Sequence, residues 1–475
     1  MPACGLTLWS IIPARAQSDT LLFTPVSGYA YAAPYSAYTA HFDRLGRPFI
    51  YTANKEYGVV LFDYSDLQNI KPAHVFPVPD FQNLKPTDLV QQGQYLYVSL
   101  GDFNGLPPQR AGLAVLDVSD PYSATLVGQW DSTTFNKGSA AVRVDGDYAY
   151  LGAMDKGVIV LDISNPIQPE FVSHLDLDLD WPVPPGLFSV PHARGLALRG
   201  DELWVCFDAG GLRLVDLSDR KNPKESSKYI NSDLDAVAQP AYNTAAIAGN
   251  YLFAAVDYCG LDVVEISDPL HPQNAAWQNP WNCTNTSWDG SPGHTNQVAT
   301  ACHDSLLFLS GGDSELLAYS ISDPGHPRQV GQWAMLKDSA ATWGVDANDS
   351  LVVLAQIWNP LNTPYIAKKG GIQLLRWHCP QLTSSQQARP EDFGFTVSPN
   401  PARGIAQVQY FLPAAGGVHW AVYNSMGQRV LQRDWTRQEA GPKTDFLDMG
   451  ILPSGIYSVV LRIDSRCFHQ FISKL

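Results

Sequence analysis

The chain has 475 residues, of which 45% are hydrophobic and only 16% are charged. Its length predicts several domains or one repeat array, and its apolar content excludes a largely disordered chain. Lys and Arg number 31 against 46 Asp and Glu, so the net charge of 31 − 46 = −15 excludes nucleic acid and anionic membrane surfaces as partners.

Residues 1–16 are predicted to be a signal peptide. Gly5 to Ile12 is a short apolar stretch, and Ala14-Arg15-Ala16 is a small-x-small sequence of the kind that signal peptidase cleaves. No Lys or Arg precedes the apolar stretch, so a start codon assigned too late or an ordinary flexible terminus is the alternative. No uncharged apolar run reaches the roughly 18 residues that a membrane span needs, so we predict no membrane span.

Six cysteines follow the predicted signal peptide, and they permit disulfides in an oxidising compartment. Cys283 and Cys302 flank one long loop and form the favoured candidate pair. Cys206 and Cys259 form a weaker one.

A repeat of about fifty residues fills most of the chain. A glycine, an apolar run, an acid and a Ser-Asp-Pro corner recur in GVVLFDYSD (58–66), GLAVLDVSDP (112–121), GVIVLDISNP (157–166), GLRLVDLSDR (211–220) and GLDVVEISDP (260–269). Two weaker copies, at 315–324 and 371–380, replace the acid by Ser320 and Arg376. Each copy follows two apolar stretches joined by a tight turn and precedes one more strand, which predicts a four-stranded antiparallel unit.

Seven such units predict an all-β chain with a seven-bladed β-propeller in residues 17–379. The glycine-led strand and its corner resemble the LVIVD repeat of bacterial propellers over about residues 28–378. The last copy ends without a fourth strand, whereas residues 20–26 supply an unassigned apolar strand. We therefore expect the N-terminal strand to complete the last blade, because an open sheet edge favours aggregation.

Residues 380–392 are predicted to be a polar linker, and residues 393–475 a small immunoglobulin-like β-sandwich. Three motifs follow in order, Pro399-Asn400-Pro401, a hairpin turn with Gly427, and Leu452-Pro453-Ser454-Gly455-Ile456-Tyr457. The ordered set resembles the type A sorting domain of the type IX secretion system of Bacteroidetes. The resemblance implies recognition by the type IX translocon and export, through the periplasm, to the cell surface or beyond. An ordinary adhesion module is the alternative.

Antiparallel connectivity places alternate turns of each blade on opposite faces. The long loops, at 101–112, 178–195, 279–296 and 356–371, all belong to one face, where binding residues commonly lie. The candidate ligand-binding residues are Trp181, His192, Arg194, Trp281, Trp288, His294, Trp358 and Tyr365, accompanied in the same loops by Phe103, Phe188, Asp289, Lys368 and Lys369. For each tryptophan, packing of the loop is the alternative role.

These observations predict an exported, non-enzymatic propeller that binds a polymer or a protein partner. The alternative is a metal-assisted hydrolase or lactonase whose site, near His192 and His294, lies at the mouth of the propeller channel. The sequence contains no G-x-S-x-G, no H-E-x-x-H and no phosphate-binding glycine loop. We therefore assign no catalytic residue, no metal ligand and no cofactor.

Overall fold

The computed structural model describes residues 21–32, 34–102, 107, 109–182, 190–236, 239–283, 293–302, 304–334, 339–361, 365–378, 395–412, 416–423, 429–463 and 466–475. The chain forms two compact units, Met1–Cys379 and Pro380–Leu475. The predicted signal peptide and linker lie outside the described residues, as do Phe103, Phe188, Trp288, Asp289 and Gly427. The described elements are strands apart from helix α1 (Ser232–Asp235) and 3₁₀ turns at Val78–Phe81, Asp257–Cys259 and Met449–Ile451, so the all-β prediction is confirmed.

The described part of the first unit contains seven four-stranded antiparallel sheets, S1 to S7. The first strand of the chain, β1 (Thr24–Ala30), belongs to the last of them. S1 has β2 (Thr39–Phe42), β3 (Phe49–Asn54), β4 (Gly58–Asp63) and β5 (Lys71–Phe76); S2 has β6 (Pro86–Gln92), β7 (Tyr95–Leu100), β8 (Ala111–Asp117) and β9 (Thr125–Ser132); S3 has β10 (Ala141–Asp145), β11 (Tyr148–Gly152), β12 (Val158–Asp162) and β13 (Glu170–Leu175).

S4 has β14 (Gly195–Arg199), β15 (Glu202–Cys206), β16 (Leu212–Asp216) and β17 (Lys224–Tyr229); S5 has β18 (Tyr242–Ala248), β19 (Tyr251–Val256), β20 (Gly260–Glu265) and β21 (Gln273–Gln278). S6 has β22 (Val298–Ala301), β23 (Leu306–Ser310), β24 (Leu316–Ser320) and β25 (Arg328–Trp333); S7 has β26 (Thr342–Ala347), β27 (Leu351–Gln356) and β28 (Gly371–Arg376), with β1 outermost.

The sheets form a closed ring around a channel. The strands β2, β6, β10, β14, β18, β22 and β26 are innermost; each packs against the next, and β26 packs against β2. β1 pairs antiparallel with β28, from Thr24 opposite Arg376 to Ala30 opposite Gly371. The paired strand thus lies a few residues later than the predicted segment 20–26, because Leu21 bridges Gly331 of S6 and Phe23 packs 5.9 Å from the ring of Phe308.

The repeat glycine begins the third strand of a sheet at a place where a side chain would collide with the outer strand. Gly157 has φ 67°, and a Cβ there would lie 2.2 Å from the carbonyl oxygen of Leu175. Gly260 has φ 83°, with the oxygen of Gln278 at 2.3 Å. In the sixth copy Glu315 takes this position at φ 58°. The glycine of the motif therefore serves positive φ and close strand packing.

The repeat acid forms the corner that follows the third strand. The carboxylate of Asp162 accepts the backbone N–H of Ser164 at 2.8 Å, and Asp216 accepts that of Ser218 at 2.8 Å. These hydrogen bonds lower the pKa of both carboxyl groups. The residue after the acid, Ile163 in S3, donates to the carbonyl of Asp147 at 2.7 Å and so joins this corner to the first turn of the sheet. The acids of the motif are turn-forming residues.

The second unit has two described sheets that share one core. S8 contains β29 (Thr396–Ser398), β30 (Ile405–Leu412) and β33 (Gly441–Asp448); S9 contains β31 (Gly416–Tyr423), β32 (Arg429–Gln438), β34 (Gly455–Ile463) and β35 (Arg466–Lys474). Val408 and Leu447 of S8 pack in one cluster with Trp420 and Val459 of S9. The indole of Trp420 donates to the buried carboxylate of Asp445 at 2.6 Å, so the polar groups of this core are paired.

Candidate functional site

We call the end of the ring that carries the second-to-third-strand turns and the sheet-to-sheet connections the loop face, and the opposite end the turn face. On the loop face, backbone hydrogen bonds join neighbouring sheets. Asp208 and Tyr242 exchange two bonds of 3.2 Å between S4 and S5, and Gly312 and Thr342 exchange two of 3.1 Å between S6 and S7. Backbone hydrogen bonds thus tie these sheets together at the loop face, where side chains can be held in fixed positions.

A disulfide strengthens this scaffold at S5. Cys259, in the turn before β20, is bonded to Cys283 in the connection to S6. The pairs considered from sequence are therefore wrong: Cys283 pairs with Cys259 rather than Cys302, and Cys206 is a free, buried thiol in β15. Sequence distance favoured the wrong pair because the turn and the connection meet only once the sheet has folded.

Trp181 lies against a buried arginine beside S4. The guanidinium of Arg213 is fully buried, donates to the carbonyl of Trp181 at 2.7 Å and to Glu225 at 2.5 Å, and lies 4.8 Å from the Trp181 ring centre. Such a cation–π contact holds the indole in a fixed position. Trp181 therefore packs within its connection, and its role in ligand binding stays a prediction.

Three further candidates from the sequence stabilise loops. His294 is fully buried, its Nδ1 lies 2.6 Å from the carboxylate of Asp257, and its ring lies 5.7 Å from that of Tyr365. Tyr365 is itself only 7% exposed. Trp281 donates to Ser314 at 3.2 Å and packs over Gly293, where a Cβ would lie 2.0 Å from the indole. These contacts hold the three side chains in fixed positions, and their ligand-binding roles stay predictions.

The remaining candidates are more accessible. His192 is 31% exposed, with Nδ1 3.6 Å from Asp208. Trp358 is partly buried and its backbone N–H donates to Ser36 at 2.9 Å. Arg194 is partly exposed and lines the channel. The structure therefore brings His294 and Tyr365 together. Of the seven candidates that lie in the described residues, only Arg194 lines the channel.

The channel narrows to a throat at the loop face. The throat has a volume of about 40 Å³, which is room for about three waters. Tyr38 and Trp343 are its aromatic residues, both partly exposed. Apart from Ala140, Ala141 and Gly195, the remaining residues that line it are polar or charged, namely Thr39, Thr87, Asp88, Arg143, Arg194, Thr244, Asn296 and Gln297.

Ion pairs fix the rim of the throat. Lys55 lies 5.1 Å from the ring centre of Tyr38 and 2.9 Å from a carboxylate oxygen of Asp102, whose other oxygen is 2.9 Å from Lys85. Burial of Asp102 favours a higher pKa, but the two lysines outweigh burial and lower it. Tyr38 is consequently held beside a structured charge cluster.

Of the throat residues, the sequence singles out Arg194 alone. Tyr38 and Trp343 are neighbours in the throat although 343 − 38 = 305 positions separate them. A usable signal was nevertheless present, since polar or aromatic pairs begin otherwise apolar first strands at Thr87-Asp88, Asn296-Gln297 and Thr342-Trp343. Within the described residues, no group of three or more His, Cys, Asp or Glu side chains is placed to hold a metal ion.

The described sorting-motif residues have clear structural positions in the second unit. Pro399, Asn400 and Pro401 are exposed, and the side-chain oxygen of Asn400 accepts the N–H of Ser473 at 2.9 Å. The hydroxyl of Tyr457 donates to the carbonyl of Pro453 at 2.7 Å. Leu452 is partly buried against the core, and Gly455 begins β34.

Two known families match this chain. The LVIVD repeat family matches residues 86–132, 138–176, 192–231 and 243–275, which correspond to S2 to S5. The secretion system C-terminal sorting domain matches residues 396–474. The chain carries LVIVD repeats and a type IX sorting domain. This domain marks the protein as one exported by the type IX secretion system to the cell surface or the extracellular space.

Solved structures identify the fold of the LVIVD unit as a propeller. The WD40 repeats of RRP9 match with a TM-score of 0.53 at 11% identity, over 75% of this chain and 100% of that one. A chain of the mitotic checkpoint complex matches with a TM-score of 0.52 at 11% identity, over 80% of this chain and 99% of that one. Raptor of Chaetomium thermophilum matches with a TM-score of 0.53 at 9% identity, over 75% of this chain and 29% of that one. At these identities the likeness concerns the fold alone.

No curated protein matches the LVIVD chain. Among the described residues, no helix is long and apolar enough to cross a membrane.

Proposed function

We propose that the exported propeller binds a polymer or a protein partner on its loop face, with the throat as the centre of the contact. The observation that carries this proposal is the pairing of two partly exposed aromatic rings, Tyr38 and Trp343, with polar side chains at one end of the channel. Aromatic residues with a polar group dominate binding energy at interfaces, and a rigid scaffold lowers the entropy lost on binding.

The size of the throat limits how the partner is bound. A volume of about 40 Å³ holds a few waters and excludes a ring or a chain. The partner therefore covers the throat and contacts its rim rather than entering it. Arg194, which lies in the throat lining, supplies a hydrogen-bond donor to the same surface.

We do not propose the alternative of a metal-assisted hydrolase or lactonase. Such a site needs several ligands that converge on one ion. His192 and His294 face different carboxylates, those of Asp208 and Asp257, and His294 is fully buried.

The experiment immobilises either the full chain or the double variant Tyr38→Ala/Trp343→Ala. It measures how much material from the envelope of the host each one retains. The matched control is Tyr122→Ala, which removes a 52% exposed tyrosine from the turn face. We expect the double variant to lose at least about ten-fold in retention and the control to lose none, since loss of a central aromatic commonly costs 2 kcal/mol or more (about 30-fold). Equal retention by the double variant, or loss in the control alone, would contradict the proposal.

A further inference from the structure

The turn-face end of the channel widens into a chamber that none of the roles above uses. We define the chamber by Arg44, Arg143, Asp145, Thr300 and Asp346, which line it together with neighbouring inner-strand residues. Its volume is about 580 Å³, whereas the throat above it has about 40 Å³. Small-molecule sites in proteins commonly have 300–1,000 Å³, so the chamber has room for a ligand of one or two rings and the throat does not.

The two sides of the chamber differ in chemistry. Strands β14, β18 and β22 contribute mostly small or apolar side chains, of which Leu198, Ala246 and Ile247 are partly exposed. Strands β10 and β26 contribute charged residues, β2 contributes His41, and Arg44 lies in the turn that follows β2. A flat apolar wall opposite a polar wall suits a ring with one C–H face and a polar edge.

Ion pairs hold the charged side in place. A carboxylate oxygen of Asp346 accepts the N–H of Phe42 at 2.9 Å and lies 2.9 Å from Arg44 and 3.5 Å from His41. Across the channel, Arg143 lies 3.1 Å from Asp88 and donates to the carbonyl of Val142 at 2.6 Å. Both guanidinium groups are therefore oriented before any ligand arrives, which reduces the entropy cost of binding.

Each arginine keeps donors for a ligand. In the described part of the chain, Arg143 makes its side-chain hydrogen bonds through Nη1 and Arg44 through Nη2. A guanidinium has five N–H donors, so Nε and the second amino group of each remain for the chamber. Asp145, exposed at the end of β10, supplies acceptors at its rim.

The charge balance of the lining selects the class of ligand. Among the lining residues, Arg44 and Arg143 are matched by Asp145 and Asp346, and Asp88 beside Arg143 adds a further negative charge, so the two arginines leave no excess positive charge. An anion would meet two carboxylates there, and it would also approach a unit with 22 Lys and Arg against 39 Asp and Glu, a net charge of 22 − 39 = −17. A cation would meet two guanidinium groups. A hydroxyl group both donates and accepts, and therefore matches both kinds of lining group.

We propose that the chamber is a binding site for a neutral saccharide of one or two rings, which enters from the turn face. The apolar wall contacts the C–H face of the ring, and the arginines and Asp145 bind its hydroxyls. This site lies at the end of the channel opposite to the partner surface proposed above. Arg143 lines both, but the aromatic residues Tyr38 and Trp343 line only the throat.

Saturation-transfer NMR on the full chain tests the site. The probes are glucose, galactose, mannose, N-acetylglucosamine, cellobiose and maltose, with glucuronate and glucosamine as charged comparators. We expect transfer to at least one neutral saccharide and none to the charged pair. Thr300→Trp, which fills the chamber, should abolish transfer. Thr125→Trp, which places the same ring on the exposed outer strand β9, should leave transfer unchanged.

Two further variants distinguish saccharide binding in the chamber from binding elsewhere on the protein. Arg44→Met changes a side chain that is 49% exposed and so leaves the core intact; we expect saccharide affinity to fall at least ten-fold. Trp343→Ala, which changes the throat but not the chamber, should retain full saturation transfer to the saccharide. The saccharide test therefore does not depend on whether the throat binds a partner. The proposal is overturned if no neutral saccharide shows transfer, if transfer survives both Thr300→Trp and Arg44→Met, or if only a charged comparator binds.

Discussion

Asp262 is a carboxyl group with no exposed surface, in the third strand of S5. The hydroxyl of Tyr242 and the amide of Asn231 each donate to it at 2.8 Å, and the amide of Asn274 donates at 3.0 Å. Burial raises its pKa to about 6, although these donors oppose the change. At neutral pH the folded protein therefore carries a buried carboxylate with hydrogen bonds but no cation among these partners.

The raised pKa of Asp262 gives a stability change of known sign. Between pH 4 and pH 6 the folded state keeps a proton on Asp262 that the unfolded state has released. The contribution of Asp262 to the free energy of unfolding is therefore fully present below pH 4 and is lost as the pH rises to 6. The difference of about two pKa units corresponds to about 3 kcal/mol. Asp262→Asn removes the titration, and we expect the variant to be most destabilised, relative to the native chain, at pH 4.5 and least at pH 7.5.

Urea unfolding of the full chain at four pH values between 4.5 and 7.5 measures this difference. Asp120, an exposed corner acid, provides the control, since Asp120→Asn leaves the interior unchanged. A stability difference for Asp262→Asn that is constant across these pH values would contradict the assigned pKa shift.

The sequence predicts the structural residues of the repeat better than the residues of the proposed partner surface. The sequence reveals the glycine and the acid of the repeat because each acts within a local turn, as Gly157 and Asp162 do in S3. It does not reveal Tyr38 and Trp343, because their meeting depends on closure of the ring. His294 was chosen as a ligand residue from its place in a long loop, and only the fold reveals its burial against Asp257.

At the scale of elements, β1 is the strand on which S7 depends. It pairs along β28 from Thr24 to Ala30, and a Cβ at Gly371 would lie 2.0 Å from the carbonyl of Tyr29. The sequence predicted a closing strand at 20–26 from apolar content alone. It could not predict the shift, since Leu21 and Phe23 are equally apolar but contact S6.

Deleting residues 21–30 should expose the edge of β28 and convert the monomer into dimers or aggregates, with a lower thermal midpoint, because an unpaired edge strand recruits other strands. Light scattering after gel filtration and a thermal scan measure both effects. Thr24→Lys, a change at an exposed position of the same strand, is the control and should stay monomeric. A deletion variant that remains monomeric with an unchanged midpoint would show that S7 does not need β1.

At the scale of the whole molecule, folding and sorting belong to separate units. Each unit has its own hydrophobic core, and the sorting-domain match lies entirely within Pro380–Leu475. Domains with separate cores generally fold independently.

Removal of residues 393–475 should therefore leave a folded propeller in the periplasm of a host with a type IX system. Cell fractionation and immunoblotting give its location, and protease resistance gives its folding. The reciprocal fusion, residues 380–475 placed behind a periplasmic reporter protein, should reach the medium or the cell surface. Secretion of the truncated chain, or retention of the fusion, would show that the C-terminal unit does not direct export.

The pairing of β1 with β28 also affects how well the exported protein resists proteases outside the cell. Thr24 pairs with Arg376, which lies 376 − 24 = 352 positions later in the chain. The ring can therefore close only when the last sheet of the unit is present. Contacts of such long range form slowly, and the closed ring leaves β1 held along its length by β28 and, near Leu21, by S6. Extracellular proteases cleave segments that open locally, and fraying chain ends open most readily. A strand that is paired along its length opens less readily than a free segment, so we expect β1 to resist such cleavage.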